Sequence, residues 1–291
     1  MTMAAKATFR WSLRSRARLR RLPSVFTTVS LLIVAAIVAL AIFGSLIEPH
    51  DPGEQDLFHT SAGPSSAHWL GTDGLGRDIL SRMIAGAGAA ITGPLVVALT
   101  GLAAASALGI LSGYMGGVID IVIQRFVDFM FALPGLLIAI VIVGVVGGGY
   151  WLAVMVLSLL NFSGGIRILR GAALEQRALP YIEAARTLGV PRYRIMYRHI
   201  WRNISPIVFA NAALDFALAL VALSSLSYLG LGTSPGEPEW GRMLAENQPL
   251  LFGNPVGVLA PGLAIVLFAT AVTVIGDWFY DRFSFSGRTG R

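Results

Sequence analysis

Long apolar runs separated by short polar segments dominate this chain. Each run is about 20 residues or longer, which is the length that an α-helix needs to cross the roughly 30 Å hydrocarbon core of a bilayer. There are six, at residues 25–47, 84–114, 121–147, 150–169, 206–231 and 256–279. The pattern therefore predicts an all-α protein with six transmembrane helices.

The first apolar run could be mistaken for the hydrophobic part of a signal peptide. It extends over 23 residues without a charge, which suits a retained spanning helix. Residues 1–23 before it hold seven basic side chains and no acid. These are Lys6, Arg10, Arg14, Arg16, Arg18, Arg20 and Arg21. We expect this arm to lie against the cytoplasmic membrane surface.

Composition agrees with an integral membrane protein. The 291 residues are 55% hydrophobic and 13% charged, with a mean hydropathy of +0.70, which excludes a soluble globule with a polar surface. The net charge of +6 reflects uneven loops rather than nucleic-acid binding. There is no cysteine, which excludes disulfides, iron–sulfur ligation and thiol catalysis.

The loops differ in charge in a way that predicts the topology. Residues 167–202 hold eight Arg and two Glu, whereas residues 232–255 hold one Arg and three Glu, and residues 48–82 hold six acids and two Arg. Because basic loops stay in the cytoplasm, the first of these segments lies inside and the other two lie outside. Both termini are then cytoplasmic.

The basic inner loop contains a pattern of its own at residues 178–202. Tyr181, Ala184, Ala185 and Leu188 have helical spacing, and Gly189 stands where a helix end favours a left-handed residue. A proline two positions later suits the start of another helix. The first helix is only about 15 Å long, so we expect it to lie across another protein or the headgroup layer rather than span the bilayer.

Glu183, Ala184, Ala185 and, after three residues, Gly189 resemble the E-A-A-x-x-x-G signature of membrane subunits in ATP-binding-cassette importers. In that family this helix docks into a groove on the ATPase. The resemblance implies a coupling role for these four residues and for Arg186 and Arg192. The alternative is an ordinary amphipathic helix on the membrane surface.

A second motif precedes the second apolar run. Residues 70–82 resemble the L-G-T-D-x-x-G-R-D-x-x-S-R stretch of the C-type permease in dipeptide and oligopeptide importers. Its members here are Gly71, Thr72, Asp73, Gly76, Arg77 and Asp78. The glycines permit tight turns and either aspartate can cap a helix, so we expect a structural role, with substrate contact as the alternative.

Residues 227–244 are similar to the same family, in which this external loop dips back toward the translocation path. Trp240, Met243, Leu244 and Leu250 give the loop an apolar side. One departure concerns the inner loop, because the family pattern H-x-L-P-N is replaced by residues 199–203 without proline, and the next proline is Pro206. We therefore expect the second coupling helix to run further.

The resemblance implies the type I permease fold and a place in the bacterial inner membrane. We divide the chain into the arm and first helix (1–47), an external loop (48–83), a five-helix core with coupling helices at 178–202 (84–281), and a cytoplasmic tail (282–291). The implied partners are a second homologous permease, ATPase subunits, an extracytoplasmic binding (lipo)protein, the lipid bilayer and a peptide substrate. ATP and Mg²⁺ would be bound by the ATPase partners, with no cofactor in this chain.

Features inside the apolar runs leave alternatives open. Asp215, with Asn211 and Asn161 as weaker candidates, either lines a hydrated path or forms an inter-helix hydrogen-bond network. Prolines within three runs would kink those helices, as packing features or as gating hinges. These are Pro94, Pro134 and Pro261. Glycines four apart favour close helix packing. They are Gly109, Gly113 and Gly117, and separately Gly144 and Gly148.

Enzymatic chemistry finds little support. The only lysine is Lys6 and no glycine precedes it, so there is no Walker A loop, and we expect no catalytic residue. His59 with His68 makes only a faint metal site, and we assign no metal. A nickel-chelate or glutathione importer permease is an alternative within the family, and a secondary transporter that uses Asp215 as a proton site is an alternative from another class.

Overall fold

The computed structural model describes residues 24–284, and within them the fold is entirely helical apart from one isolated bridge between Thr72 and Asp78. The α-helices in this range are α1 Val25–Ile47, α2 Ile79–Ala104, α3 Ile110–Met115, α4 Gly117–Phe131, α5 Gly135–Val146, α6 Tyr150–Arg177, α7 Pro180–Thr187, α8 Arg192–Arg194, α9 Trp201–Tyr228, α10 Trp240–Asn247 and α11 Val256–Ser284.

The described residues contain five helical runs that are long and apolar enough to cross a membrane, and a sixth if α4 and α5 count as one span. The first run coincides with the predicted 25–47. Two runs are 37 residues long, because π-helical turns at Ala105–Gly109 and Ile195–Ile200 join α2 to α3 and α8 to α9 without a break. The predicted six-span, all-helical fold is confirmed.

The prolines behave differently from one another. Pro94, Pro206 and Pro261 lie inside continuous helices, whereas Pro134 stands between α4 and α5, which are bent by 73°. The 73° bend agrees with the kink predicted at Pro134, and it divides the predicted span over residues 121–147 into two helices, because a proline disfavours helical geometry in the residue before it. The second helix of the inner loop runs further, as expected, since the run Arg192–Tyr228 passes through Pro206.

Two predicted boundaries also need correction. The external loop does not continue to residue 83, because Asp78 caps α2 and the helix begins at Ile79. At the other end α11 continues to Ser284, so the assigned core limit at 281 cuts the helix. The basic arm at residues 1–23 and residues 285–291 of the predicted tail lie outside the described residues.

Close packing at glycines holds the inner half of the bundle together. A Cβ on Gly109 would come within 2.9 Å of the Ile166 carbonyl, and one on Gly113 within 2.6 Å of the Arg170 carbonyl, so both allow the chain to approach α6. Gly117 does not extend this ridge. Its φ of +58° places it in the turn that begins α4, with open space around it.

Candidate functional site: the cytoplasmic turn and the external loop network

The helical turn after α7 has a complete set of capping hydrogen bonds. Gly189 has a φ of +71°, its N–H donates to the Arg186 carbonyl at 3.0 Å, and the Val190 N–H donates to the Ala185 carbonyl at 3.0 Å. This is the Schellman arrangement, which favours glycine because a side chain is strained at positive φ. Pro191 then caps α8, so the segment is a helix, a sharp turn and a second helix.

One face of α7 packs into the protein and the other is exposed. Ile182 and Ala185 are buried in the hydrophobic cluster that includes Ile195 of the following π-helical turn. Of the residues predicted to share one side of this amphipathic helix, Ala185 is buried and Tyr181 is half-buried, whereas Ala184 and Leu188 are exposed. Ile182, which the predicted apolar set did not include, anchors the helix in the core. The exposed face carries Glu183, Ala184, Arg186, Leu188 and Gly189.

Polar contacts fix α7 against its neighbours. The Tyr181 hydroxyl donates to Gln176 Oε1 at 2.7 Å, at the end of α6, and accepts from Asn203 Nδ2 at 2.9 Å, at the start of α9. Burial raises the pKa of Tyr181, and the Asn203 hydrogen bond opposes this shift. Arg186 Nε lies 3.3 Å from the Tyr114 hydroxyl and its guanidinium stacks over the Tyr114 ring. The segment is held in one orientation.

The surface around α7 is basic. Arg186 and Arg192 line a cleft together with Arg177 and Tyr114. The remaining arginines of the segment project into solvent and form no ion pair within residues 24–284; they are Arg194, Arg198 and Arg202. Such a surface suits an acidic partner or anionic headgroups.

The motif residues before α2 form a tight turn. Asp78 caps α2 and accepts from the Ser81 N–H at 2.8 Å, so the expected capping role is confirmed for Asp78. Asp73 instead closes the loop, because its Oδ1 accepts from the N–H groups of Leu75 and Arg77 at 2.9 and 3.0 Å. Thr72 Oγ1 accepts from the Ala62 N–H at 2.9 Å. Gly71 and Gly76 have φ of +80° and +78°, and each passes against loop backbone where a Cβ would clash.

A buried ion network joins this turn to α10. Arg77 Nε lies 2.7 Å from Asp73 Oδ2, and Glu246 Oε2 accepts from Arg77 Nη2 and Arg82 Nη2 at 2.8 and 3.0 Å. Both arginines also donate to the Gly236 carbonyl. Burial raises the pKa of Glu246, but hydrogen bonds from Gly236 and Arg242 and the charges of the two arginines outweigh it and hold this pKa below 4.5.

Sequence reasoning missed Arg82 and Glu246 as members of one network. The signal was the presence of two arginines in an otherwise acidic loop, but the partner lies more than 160 residues away in the chain. The network therefore links the segment at residues 70–82, which ends in the first turn of α2, to the segment at residues 232–247, which ends in α10.

The external loop at residues 232–255 has the predicted apolar side. Trp240 and Met243 are buried, and Trp240 Nε1 donates to the Met83 carbonyl of α2 at 2.9 Å. Glu239 caps α10 by accepting from the N–H groups of Gly241 and Arg242. Burial raises the pKa of Glu239, and these hydrogen bonds oppose the shift. Leu244 and Leu250 are half-buried.

Two of the three candidate path residues meet. Asn211 Nδ2 donates to Asp215 Oδ2 at 2.8 Å, and both side chains are buried in α9, with Gly101 of α2 next to the carboxylate and Gly165 of α6 next to the amide. Asn161 is not part of this pair, and its Nδ2 is buried without a hydrogen-bond partner in the described residues. This hydrogen bond links two residues of α9 at the place where that helix packs against α2 and α6.

The fold and these sites define a class of protein: a multi-pass helical membrane protein with a structured helical turn on its basic side and interlocked loops on its acidic side. Residues 105–286 match the family model described as binding-protein-dependent transport system inner membrane component.

Relatives cover most of the chain. It is 35% identical over 251 residues to a glutathione transport system permease protein of Pectobacterium atrosepticum (86% of this chain, 83% of the relative). It is 34% identical over 259 residues to a probable D,D-dipeptide transport system permease protein of Escherichia coli (89% and 87%). It is 34% identical over 260 residues to a dipeptide transport system permease protein of Alkalihalophilus pseudofirmus (87% and 83%).

The chain belongs to the family of binding-protein-dependent transport system inner membrane components. It is the permease subunit of an ATP-binding-cassette importer in a bacterial inner membrane, a non-enzymatic transport subunit that works with ATPase and substrate-binding partners. Family membership sets aside the secondary-transporter hypothesis.

Proposed function

We propose that this chain forms one half of the translocation pathway of a short-peptide importer and couples to its ATPase through the exposed face of α7. The observation that carries the proposal is the split of α7 into two faces. Ile182 and Ala185 anchor the helix in the core, while Glu183, Ala184 and Leu188 face outward. Small and apolar side chains on a firmly held, exposed helix suit docking into a groove of a partner.

Coupling by α7 requires that a displacement of this helix is transmitted to the transmembrane helices. The run Arg192–Tyr228 is continuous over 37 residues, or roughly 55 Å at 1.5 Å per residue, and Asn203 near its start contacts Tyr181 of α7. Displacement of α7 by the ATPase would therefore tilt α9 as a rigid body and carry Asp215 with it. Such rigid-body motion is one form of alternating access. ATP and Mg²⁺ belong to the ATPase partners in this scheme.

The arrangement in the membrane follows from charge. The basic surface around α7 faces the cytoplasm, both termini lie on that side, and the acidic loops face the binding protein. A second, homologous permease completes the pathway. We assign Asp215 and Asn211 to the wall of that pathway, at the place where α9 packs closely against Gly101 of α2 and Gly165 of α6.

The substrate proposal rests on the relatives. Their names specify glutathione, a D,D-dipeptide and a dipeptide, all of which are short peptides. We propose a short peptide for this chain as well, and a nickel chelate is the alternative within the family.

Co-purification from the native membrane in mild detergent tests this function. We expect a second six-span permease, an ATPase and a binding lipoprotein to be identified with the chain by mass spectrometry. Recovery of the chain alone or as a homo-oligomer, after chemical crosslinking in the intact membrane, would contradict the proposal. Competition of labelled dipeptide uptake by glutathione and by a nickel chelate then separates the substrates.

A further inference from the structure

Three side chains of metal-ligand type converge on the loop between α1 and α2. His50 follows the end of α1, and His68 and Asp78 belong to the stretch that leads into α2. His68 Nδ1 lies 3.0 Å from Asp78 Oδ1 and His50 Nδ1 lies 3.9 Å from Asp78 Oδ2, with the two imidazole centroids 4.7 Å apart. One ligand atom from each residue lies within 4.8 Å of the other two.

The group is held in place by its surroundings. The buried carboxylate of Asp78 accepts from the N–H and the hydroxyl of Ser81 through Oδ2, at 2.8 and 2.7 Å, which leaves Oδ1 directed at His68. The same Ser81 hydroxyl accepts from the backbone N–H of His50 at 3.0 Å. The backbone N–H of His68 donates to Ser65 Oγ at 3.0 Å. The Asp78 carboxylate is thus oriented by outer hydrogen bonds, as metal ligands in proteins typically are, and the backbone is fixed at both histidines.

One atom of the group has no partner. His50 Nδ1 is buried, yet within the described residues it makes no hydrogen bond. Buried polar atoms are nearly always paired, and an exception calls for an explanation. This nitrogen lies next to the Asp78 carboxylate, where a cation bound between them would supply its missing partner.

We propose that His50, His68 and Asp78 bind a zinc ion. Two imidazoles and one carboxylate are the ligand types of Zn²⁺ and similar transition metals, whereas Mg²⁺ and Ca²⁺ prefer oxygen alone. Tetrahedral zinc with bonds of about 2.0–2.1 Å separates its ligand atoms by roughly 3.3 Å. That value falls between the 3.0 and 3.9 Å separations measured here.

The ion would join the end of α1 to the start of α2 and leave a fourth position for water or a donor group of another molecule. His59, which the sequence pairs with His68 as a faint metal site, is not in the group. Its Nδ1 is bonded to Asp56 Oδ2 at 2.7 Å instead. His59 therefore provides a matched control in the same loop.

The test is zinc binding to the full chain in its complex, purified through a peptide tag without histidine. Equilibrium dialysis against Zn²⁺ with atomic emission should find one ion per chain. We expect His50→Gln to weaken binding by at least about 100-fold, because even an outer hydrogen-bond partner of a ligand typically accounts for 10- to 100-fold. His59→Gln should bind as the parent does.

His50 is the better variant because Asp78 also caps α2, so its replacement would disturb the fold. Thermal unfolding without metal should be equal for the parent, His50→Gln and His59→Gln, and added zinc should raise the Tm of the parent and His59→Gln only. No stoichiometric zinc on the parent, or equal affinity in the two variants, would overturn the proposal.

Discussion

Leu188→Ala tests the docking face of α7 without disturbing the fold. The Leu188 side chain is 82% exposed, so its truncation removes no internal packing and should leave the stability of the permease unchanged. If the side chain is buried in a groove of the ATPase, the loss of three carbons at about 0.8 kcal/mol each removes about 2 kcal/mol of binding energy. At 1.4 kcal/mol per tenfold, ATPase affinity should fall by about 30-fold.

The assay is a titration of the purified ATPase subunit against the permease pair in nanodiscs, read as Kd and as substrate-stimulated ATP hydrolysis. Leu57→Ala is the matched control, because Leu57 is 71% exposed in the loop between α1 and α2. We expect Leu57→Ala to bind the ATPase with parental Kd. An unchanged Kd for Leu188→Ala would refute the assignment of this face to the ATPase.

Ile182→Ala gives the opposite result from the same helix. Ile182 is fully buried in the cluster that anchors α7, so truncation should lower the free energy of unfolding by about 2–5 kcal/mol. The contrast between the two variants separates the anchoring face from the docking face.

Three further variants test the rest of the structure. Gly113→Ala places a Cβ 2.6 Å from a backbone carbonyl of α6 and should lower the free energy of unfolding by about 1–3 kcal/mol. Gly171→Ala is the control, because open space surrounds Gly171 and the free energy of unfolding should not fall. Equal melting temperatures for the two variants would contradict the close packing at Gly113. Glu246→Gln leaves two buried arginines without their shared carboxylate and should destabilise the protein by about 3–5 kcal/mol, against little change for the exposed Glu237→Gln. Because the pKa of Glu246 is lowered in the folded protein, its contribution to stability is present above pH 4.5 and is lost as the pH falls through the folded-state pKa. Glu246→Gln should therefore weaken the acid dependence of stability. An unaltered pH profile of stability would count against this. Asp215→Ala leaves the buried amide of Asn211 unpaired, so it should lower the free energy of unfolding by about 1–3 kcal/mol and reduce substrate uptake. Unchanged assembly and unchanged uptake would exclude both roles considered for Asp215.

Much of the architecture could be predicted because the bilayer restricts the options. The apolar runs predicted six spans, and the first of them matched α1 at both ends. The turn at Gly189 could be predicted from local chemistry, since few residues adopt its positive φ. The same reasoning identified Asp78 as a helix cap.

The rest depended on contacts between segments that are distant in the chain. The sequence predicted an amphipathic α7, but not which side packs into this chain. Ala184 and Leu188 point away from the core, and Ile182 is buried in the cluster that includes Ile195. The ion pair of Arg82 and Glu246 joins the start of α2 to α10, which are more than 160 residues apart in the chain, and no local sequence pattern connects them. The break at Pro134 was expected as a kink, but its size depends on packing.

The central claim is that α7 contacts the ATPase, and a site-directed disulfide tests it most directly. The chain has no cysteine, so Ala184→Cys introduces a unique thiol on the exposed face of α7, and Ser66→Cys introduces one on the exposed loop before α2. With single cysteines placed along the groove of the ATPase partner, we expect Ala184→Cys to form a crosslinked pair in native membranes and Ser66→Cys to form none. Absence of a crosslink from Ala184→Cys at every groove position, with normal complex assembly, would contradict the account.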